Sequence, residues 1–385
     1  MTISYQVNKQ KVFFPNLDAI RFFAFALVFL QHGFGNILNF YDIKNLYINR
    51  ITTFLLLGGG LGVSVFFVLS GFLITYLILT EIETRGKLDV KAFYIRRTLR
   101  IWPLYFCVVL FAFYLYPYIK SLIHIESDLC SRAIYYLLFL ANFEVIHINK
   151  VCPGHDSMVE NIVWSVAIEE QFYLVWPLFF LLLSKKYYKY IFLSVIAISL
   201  VFRFFNLNDG PVLYFHTLSV CADLAIGGLG AYLAFYSKPF KNFFEELKPL
   251  TIFTIYVLGF MYCIFGVNLG VITQVFGRLV MTLFFAFIIL EQCFNKSSSY
   301  KFGRLKLISK AGKYTYGYYL LHTIGILIVN NLFRLYGINL LSPSIILVKG
   351  FMALLITFII SYFSYQYFES YFIKMKTKFS FITKD

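Results

Sequence analysis

Charged side chains are scarce in this sequence: Asp, Glu, Lys and Arg make up 14% of its 385 residues, and only 19 of them are acidic. An ordinary soluble domain carries about 25% charge, so a water-soluble fold is excluded. Also missing are an internal repeat, a low-complexity tract and a Pro-, Gly- or Ser-rich linker, so nothing divides the chain into two domains. No Cys/His spacing of a metal site occurs, and neither a metal nor a bound cofactor is expected. The first apolar run carries Asp18 and Arg21 and has no small-residue cleavage site, so it reads as a retained span rather than a removed signal peptide.

What fills the chain instead is apolar, at 60% of residues. The apolar residues come in runs of about 17–25, the length a helix needs to cross the hydrocarbon core, separated by short basic stretches. The expected fold is an all-α polytopic membrane bundle with the lipid bilayer as its partner. A net charge of +15 could also suit nucleic acid, but the cations sit in loops between spans and form no basic-aromatic module, which excludes that partner.

Eleven stretches are apolar enough to consider: 16–36, 58–82, 101–119, 131–146, 161–184, 190–206, 213–236, 250–267, 270–292, 314–335 and 343–372. The fourth is the shortest and holds Arg132, Asn142 and Glu144. If it does not cross, ten spans remain and both ends share one side with loops 83–100, 185–189, 237–248 and 293–313. That side then holds 24 Lys and Arg residues, while the other holds only Lys44, Arg50, Lys120, Arg132 and Lys150. Were 131–146 to cross, the bias would largely vanish, against the positive-inside rule. Ten transmembrane helices are therefore expected, with 131–146 re-entrant or interfacial and both termini cytoplasmic. The expected division is a cytoplasmic segment 1–15, a membrane domain 16–372 and a basic cytoplasmic tail 373–385. Cys130 and Cys152 both fall in the long outer loop, 120–160, where either a disulfide or two free thiols fits.

Ionisable groups inside a bilayer are costly and mark function. The first span reads Asn16-Leu17-Asp18-Ala19-Ile20-Arg21, then apolar residues, then Gln31-His32-Gly33. Arg21 and His32 are eleven residues apart, three helical turns plus about 20°, so both project from one face about 16 Å apart. Such a pair can hold an anionic donor at one depth and move a proton at another; the plainer alternative is a snorkelling Arg and an interfacial His. Asp18, one turn before Arg21, suits both the helix N-terminus and an ion pair with Arg21. Ser70-Gly71 in the second span is either a close helix contact or a gap for a thin acyl or pantetheine chain. Arg97 and Arg100, one turn apart, suit the phosphates of coenzyme A or simple positive-inside anchoring. The run Trp164-Ser165-Val166-Ala167-Ile168-Glu169-Glu170 places two adjacent carboxylates about two turns inside a span, about 100° apart, so at least one needs a partner, a polar cavity or a proton. Asp223, Arg203, Arg278, His322 and Lys349 complete the set.

Taken in order, these motifs resemble the bacterial acyltransferase 3 membrane proteins, which include O-antigen and other surface-polysaccharide O-acetylases. The resemblance rests on Asp18-x-x-Arg21 with His32 and on Phe66-Phe67-x-x-Ser70-Gly71-Phe72-Leu73. Arg97-x-x-Arg100-Ile101-x-Pro103-x-Tyr105 and Trp164-Ser165-x-x-x-Glu169-x-x-Phe172-Tyr173 follow, then Tyr318-Tyr319-Leu320-x-His322 and Tyr367-Phe368-Glu369. It implies a ten-helix O-acyltransferase of the bacterial inner membrane. The implied donor is cytoplasmic acyl-CoA as co-substrate, and the implied acceptor is the hydroxyl of a carbohydrate such as lipopolysaccharide on the outer side. Arg21 and His32 would be the essential pair, and Arg97 and Arg100 would lie on the donor side. Two departures stand out. Cys221 replaces a basic residue often found two positions before Asp223, which puts an ion pair of Asp223 in doubt, and Tyr371 replaces a proline. Some relatives add a C-terminal esterase-like domain; here a separate periplasmic or glycan-assembly partner would present the acceptor.

The expected site is therefore His32 as base and Glu169 orienting or restoring it, with Asp18, Arg21, Ser70, Arg97, Arg100 and Trp164 binding substrate or donor. The rival class is a proton-coupled transporter whose pathway runs through Arg21, His32, Glu169 and Asp223; no inverted repeat supports it.

Overall fold

The computed structural model describes residues 14–122, 130–152, 158–266, 269–338 and 342–380. Lys9, Lys11, the last five residues and parts of the long loop, 123–129 and 153–157, lie outside the described residues. Helix accounts for nearly all of the rest, and no strand occurs among the described residues.

In α1 (Asn16–Phe34) the buried residues Leu17, Ile20, Ala24 and Val28, flanked by Phe25 and Phe29, recur every three or four positions and so form one stripe. The short α2 (Leu46–Leu57) starts at Asn45, whose side-chain oxygen accepts the Tyr47 and Ile48 N–H groups. The longer α3 (Gly59–Arg85) stops at Gly86, whose φ of 73° is left-handed and whose N–H closes onto the Ile82 carbonyl. Next, α4 (Val90–Leu110) opens at an Asp89 cap and continues through a π-helical turn, Phe111–Leu115, into α5 (Tyr116–Leu122). The apolar run begins only at 101, but the cap starts the helix eleven residues earlier, so Arg96, Arg97 and Arg100 stand on a helix rather than in a loop.

Segment 131–146 makes two short helices, α6 (Ala133–Leu137) and α7 (Ala141–Val151), of five and eleven residues. At about 1.5 Å per residue neither crosses a core of about 30 Å, in keeping with its expected re-entrant or interfacial character. A Cys130–Cys152 disulfide, Cα atoms 6.7 Å apart, ties the ends of this segment together. Inside it, Arg132 grips the buried Glu144 with Nε and Nη2 at 2.7–3.2 Å, and the Arg132 backbone N–H adds a bond of 2.8 Å. Burial pushes the Glu144 carboxyl upward, and these Arg132 bonds outweigh it, so the group titrates below the usual carboxylate range. A depressed carboxyl stabilises the fold above its unfolded pKa of about 4.3 and loses that contribution as pH falls through the folded value. Glu144→Gln is therefore expected to melt below wild type at pH 7, with the gap narrowing toward pH 4. A gap independent of pH would reject the ion pair as its source.

The chain continues through α8 (Met158–Asn161), α9 (Trp164–Leu182), α10 (Tyr188–Phe205), α11 (Gly210–Phe215) and α12 (Thr217–Tyr236). A bend of 93° separates α13 (Lys238–Glu246) from α14 (Pro249–Phe265). Then come α15 (Val271–Phe294), α16 (Lys306–Gly312), α17 (Thr315–Leu335) and α18 (Pro343–Phe363), which runs through a π-helical turn, Ser364–Glu369, into α19 (Ser370–Thr377). Among the described residues eight helical segments are long and apolar enough to cross a membrane, or nine with the bent pair counted as one span. The tenth expected span is α17: its 21 residues suffice in length, but His322, Asn330, Asn331 and its tyrosines lower its apolarity. Of these, His322, Tyr318 and Tyr319 are buried where it packs within the bundle, on α1 and α18 among others.

The bundle closes around α3 and α12. A methyl added at Gly71 would lie 1.9 Å from the Leu224 carbonyl oxygen, and one at Gly227 1.9 Å from that of Val68. The two glycines thus let the backbones meet, as small residues do between membrane helices. Gly71 is a packing contact, and the backbone of α12 lies against it where an acyl or pantetheine chain would have needed a gap. Gly71→Ala is expected to destabilise the purified protein by roughly 1–3 kcal/mol or more. Gly210→Ala, whose new methyl meets no atom within 4 Å, serves as the control; equal melting of the two variants would contradict the contact.

Candidate active site

His32 sits near the end of α1, facing His322 of α17. His32 Nδ1 lies 2.8 Å from His322 Nε2, and the rings are within 13° of parallel with centroids 5.1 Å apart, an edge-to-edge, in-line arrangement. His322 Nδ1 lies 2.6 Å from the Tyr319 carbonyl oxygen. A carbonyl only accepts, so His322 Nδ1 carries the hydrogen and its Nε2 carries the lone pair. His32 Nδ1–H must then donate to His322, which leaves His32 Nε2 with the free lone pair. This is the arrangement of an oriented general base, with His322 as the orienting group. His322 is completely buried.

Tyr319 anchors that chain. Its hydroxyl meets Ser165 Oγ at 2.6 Å and donates to the Ile162 carbonyl, joining α17 to the start of α9. Gln31, beside His32, accepts the Gly59 N–H at 2.8 Å and so fixes the start of α3 against α1.

His32 lines an open cavity of about 1240 Å³ between α2 and the ends of α1, α3, α9, α11, α14 and α15. Trp164 lines it too, held between Phe67, Tyr214 and Phe215. So do Arg203 and Arg278. Arg278 pairs with Asp223 through Nε and Nη2, the closest contact 2.6 Å, and Thr282 donates to the same carboxylate at 3.1 Å. Asp223 therefore does have a basic partner; it comes from α15 rather than from position 221, where the sequence had put the pair in doubt.

The other expected site residues gather toward the opposite end of the bundle, where the basic loops lie. Arg21 pairs with Asp18 one turn away. Ser70 donates to Glu169 Oε1 at 3.0 Å and Tyr173 to Oε2 at 2.8 Å. Arg97 stacks over the Tyr173 and Phe93 rings. Glu169 feels the charges of Arg97 and Arg21, Arg100 repels both Arg21 and Arg97, and Glu369 adds its charge beside Arg100. Neither Arg97 nor Arg100 makes an ion pair among the described residues. Glu170 is separate, accepting from Trp102 Nε1 at 2.8 Å.

Two groups result. His32 and Trp164 belong to the cavity; Asp18, Arg21, Ser70, Glu169, Arg97 and Arg100 belong to a charged cluster about three turns of α1 away. No hydrogen bond joins Glu169 to His32 among the described residues, because Glu169 lies at the depth of Ser70 and Tyr173. The orienting partner of His32 is His322, which sequence reasoning left without a role. Its signal was an ionisable residue inside a predicted membrane span. Among the described residues no three His, Cys, Asp or Glu side chains come together as a metal site.

These features define a multi-pass membrane protein with a hydrogen-bonded histidine pair on the wall of a large cavity. Residues 14–362 match the family described as Acyltransferase domain, and the chain belongs to that family. It is 35% identical over 178 residues to the peptidoglycan O-acetyltransferase OatA of Listeria monocytogenes, covering 44% of this chain and 25% of that protein. It is 30% identical over 251 residues to a putative O-acetyltransferase of Staphylococcus aureus strain COL, covering 62% and 37%. Against the putative peptidoglycan O-acetyltransferase YrhL of Bacillus subtilis it is 32% identical over 181 residues, covering 46% and 25%. The matched stretches thus span only a quarter to a little over a third of each relative's own length. No solved structure matches.

Proposed function

We propose that this protein transfers an acyl group, acetyl in the simplest case, from acyl-CoA to a hydroxyl of a cell-envelope carbohydrate. The observation that carries the reading is the hydrogen-bond chain that leaves His32 Nε2 as a free base on the wall of the large cavity. In this scheme the acceptor occupies the cavity. His32 Nε2 takes the proton from its hydroxyl as the oxygen attacks the thioester carbonyl; the C–S bond breaks, and the departing thiolate takes the proton back from His32. The products are the ester and free coenzyme A, and His32 ends neutral. His32 as nucleophile, carrying the acyl group between two half-reactions, uses the same atom.

The donor phosphates belong at Arg97 and Arg100, which make no direct ion pair among the described residues, with Arg21 nearby. Three turns from His32, Arg21 is placed for those phosphates rather than for the oxyanion. The basic end of the bundle is then cytoplasmic, both termini with it, and the cavity opens outward from the bacterial inner membrane. Two of the relatives are named for peptidoglycan, which favours that glycan over lipopolysaccharide as acceptor.

Membranes holding the protein, given radiolabelled acetyl-CoA and total envelope glycan, are expected to place label in an alkali-labile ester; absence of label with acetyl- and longer acyl-CoAs alike would refute the reading. Arg97→Gln and Arg100→Gln are each expected to raise KM for acetyl-CoA about tenfold or more, since a charge-assisted bond contributes about 1.5–3 kcal/mol. Unchanged KM in both would remove the donor from this end.

A further inference from the structure

The cavity beside His32 carries an unbalanced charge. Three arginines line it, Arg50, Arg203 and Arg278, and among the described residues no Asp or Glu does. Arg278 is neutralised by Asp223 directly behind it. At the same end of the molecule Arg132 pairs with Glu144 and Lys150 with Asp209, and none of these four side chains lines the cavity. Arg203 makes no ion pair among the described residues and feels Asp223 only at a distance. Its Nη1 donates to the Leu213 carbonyl and Ser219 Oγ and its Nη2 to the Gln274 carbonyl, and its Nε is buried with no acceptor. Arg50, exposed on α2, makes no ion pair among the described residues. A cation held in a low-dielectric wall by neutral dipoles, without a directly paired carboxylate, is stabilised by an incoming anion. Tyr214, half-buried in the same wall with Trp164 packed against it, adds aromatic surface of the kind a sugar ring rests on.

We propose that the acceptor is an acidic carbohydrate, its carboxylate or phosphate held in this cavity by Arg203 with Arg50 at the rim. This rests on the acyltransferase reading for the chemistry at His32, while the binding site stands on the charge pattern alone. Both anions share the chemistry of charge-assisted bonds from a guanidinium fork, and the cavity's volume admits a sugar of either kind.

The test is equilibrium binding to the purified full chain, run beside the labelling assay. The probes are peptidoglycan glycan strands stripped of peptide, with free lactyl carboxylates, and the same strands methyl-esterified; N-acetylglucosamine 1-phosphate and N-acetylglucosamine form the phosphate arm. The expected result is about tenfold or greater preference for a charged form over its neutral twin, lost in Arg203→Gln and reduced in Arg50→Gln. Preference within the first pair assigns a carboxylate, within the second a phosphate. Arg203 also bridges backbone carbonyls, so Arg50→Gln, which removes no hydrogen bond or ion pair among the described residues, guards against a folding artefact. Equal binding of charged and neutral forms, binding of none of the probes, or a preference untouched in both variants overturns the proposal. Charge-selective binding without transfer of label would keep this site and reject the acyltransferase reading. Label passing equally to acid and ester strands, bound equally, would do the reverse.

Discussion

His32→Ala is expected to lower acyl transfer by roughly 10²–10⁴-fold, the range that general acid–base catalysis contributes, with little change in the affinity for acetyl-CoA. The lone pair on His32 Nε2 is the one removed, and the donor cluster lies three turns of α1 away, so binding of coenzyme A survives. His32→Gln separates the two roles of the ring: its amide can still donate toward His322 but cannot take a proton at neutral pH. Both variants should therefore fold and both should fail. Label in the alkali-labile ester fraction, at saturating acetyl-CoA, reads the effect. If either variant kept wild-type turnover, His32 would be neither base nor nucleophile, and the cavity would have to serve a different chemistry.

The second large effect falls on His322, which touches no substrate in this scheme. Its Nε2 holds the proton of His32 on Nδ1 and then steadies the imidazolium that forms as His32 takes up the acceptor proton. Phenylalanine at 322 keeps the ring's volume but removes the acceptor, and His32 is then free to adopt the wrong tautomer. A fall in kcat of roughly 10²-fold or more is expected with KM for donor and acceptor nearly unchanged. His322→Gln, whose amide oxygen can accept from His32 Nδ1, should recover part of that loss. A purely structural role would instead show as lost protein or raised KM in both variants, without rescue by Gln.

How much of this was visible in the sequence depended on the distance over which a feature is decided. The helices were legible because length and apolarity are local, and the failure of 131–146 to cross followed from counting Lys and Arg on either side. The start of the third span was misjudged because a single cap at Asp89, not the apolar run, decides where α4 begins. Arg21 and His32 could be placed on one face of α1 from spacing alone. Their partners could not. His322 is 290 residues from His32, Glu169 is 99 from Ser70, and Arg278 is 55 from Asp223. Each pairing is set by which helices pack and at what height, which no window of sequence contains. The Ser70-Gly71 step shows the same limit: its small residues suited a gap and a contact equally, and only the carbonyl of Leu224 opposite Gly71 decides for contact.

The hydrogen-bond chain from His32 ends on the main-chain oxygen of Tyr319. That oxygen can accept a hydrogen bond but cannot pass a proton onward, so the chain is a cul-de-sac rather than a wire. In the proposed reaction a proton taken up by His32 would have to leave through the same ring, which would tie its release to the departing group. With donor and acceptor reaching that ring from opposite sides, as proposed, the two compartments would meet at one atom without short-circuiting the proton gradient between them.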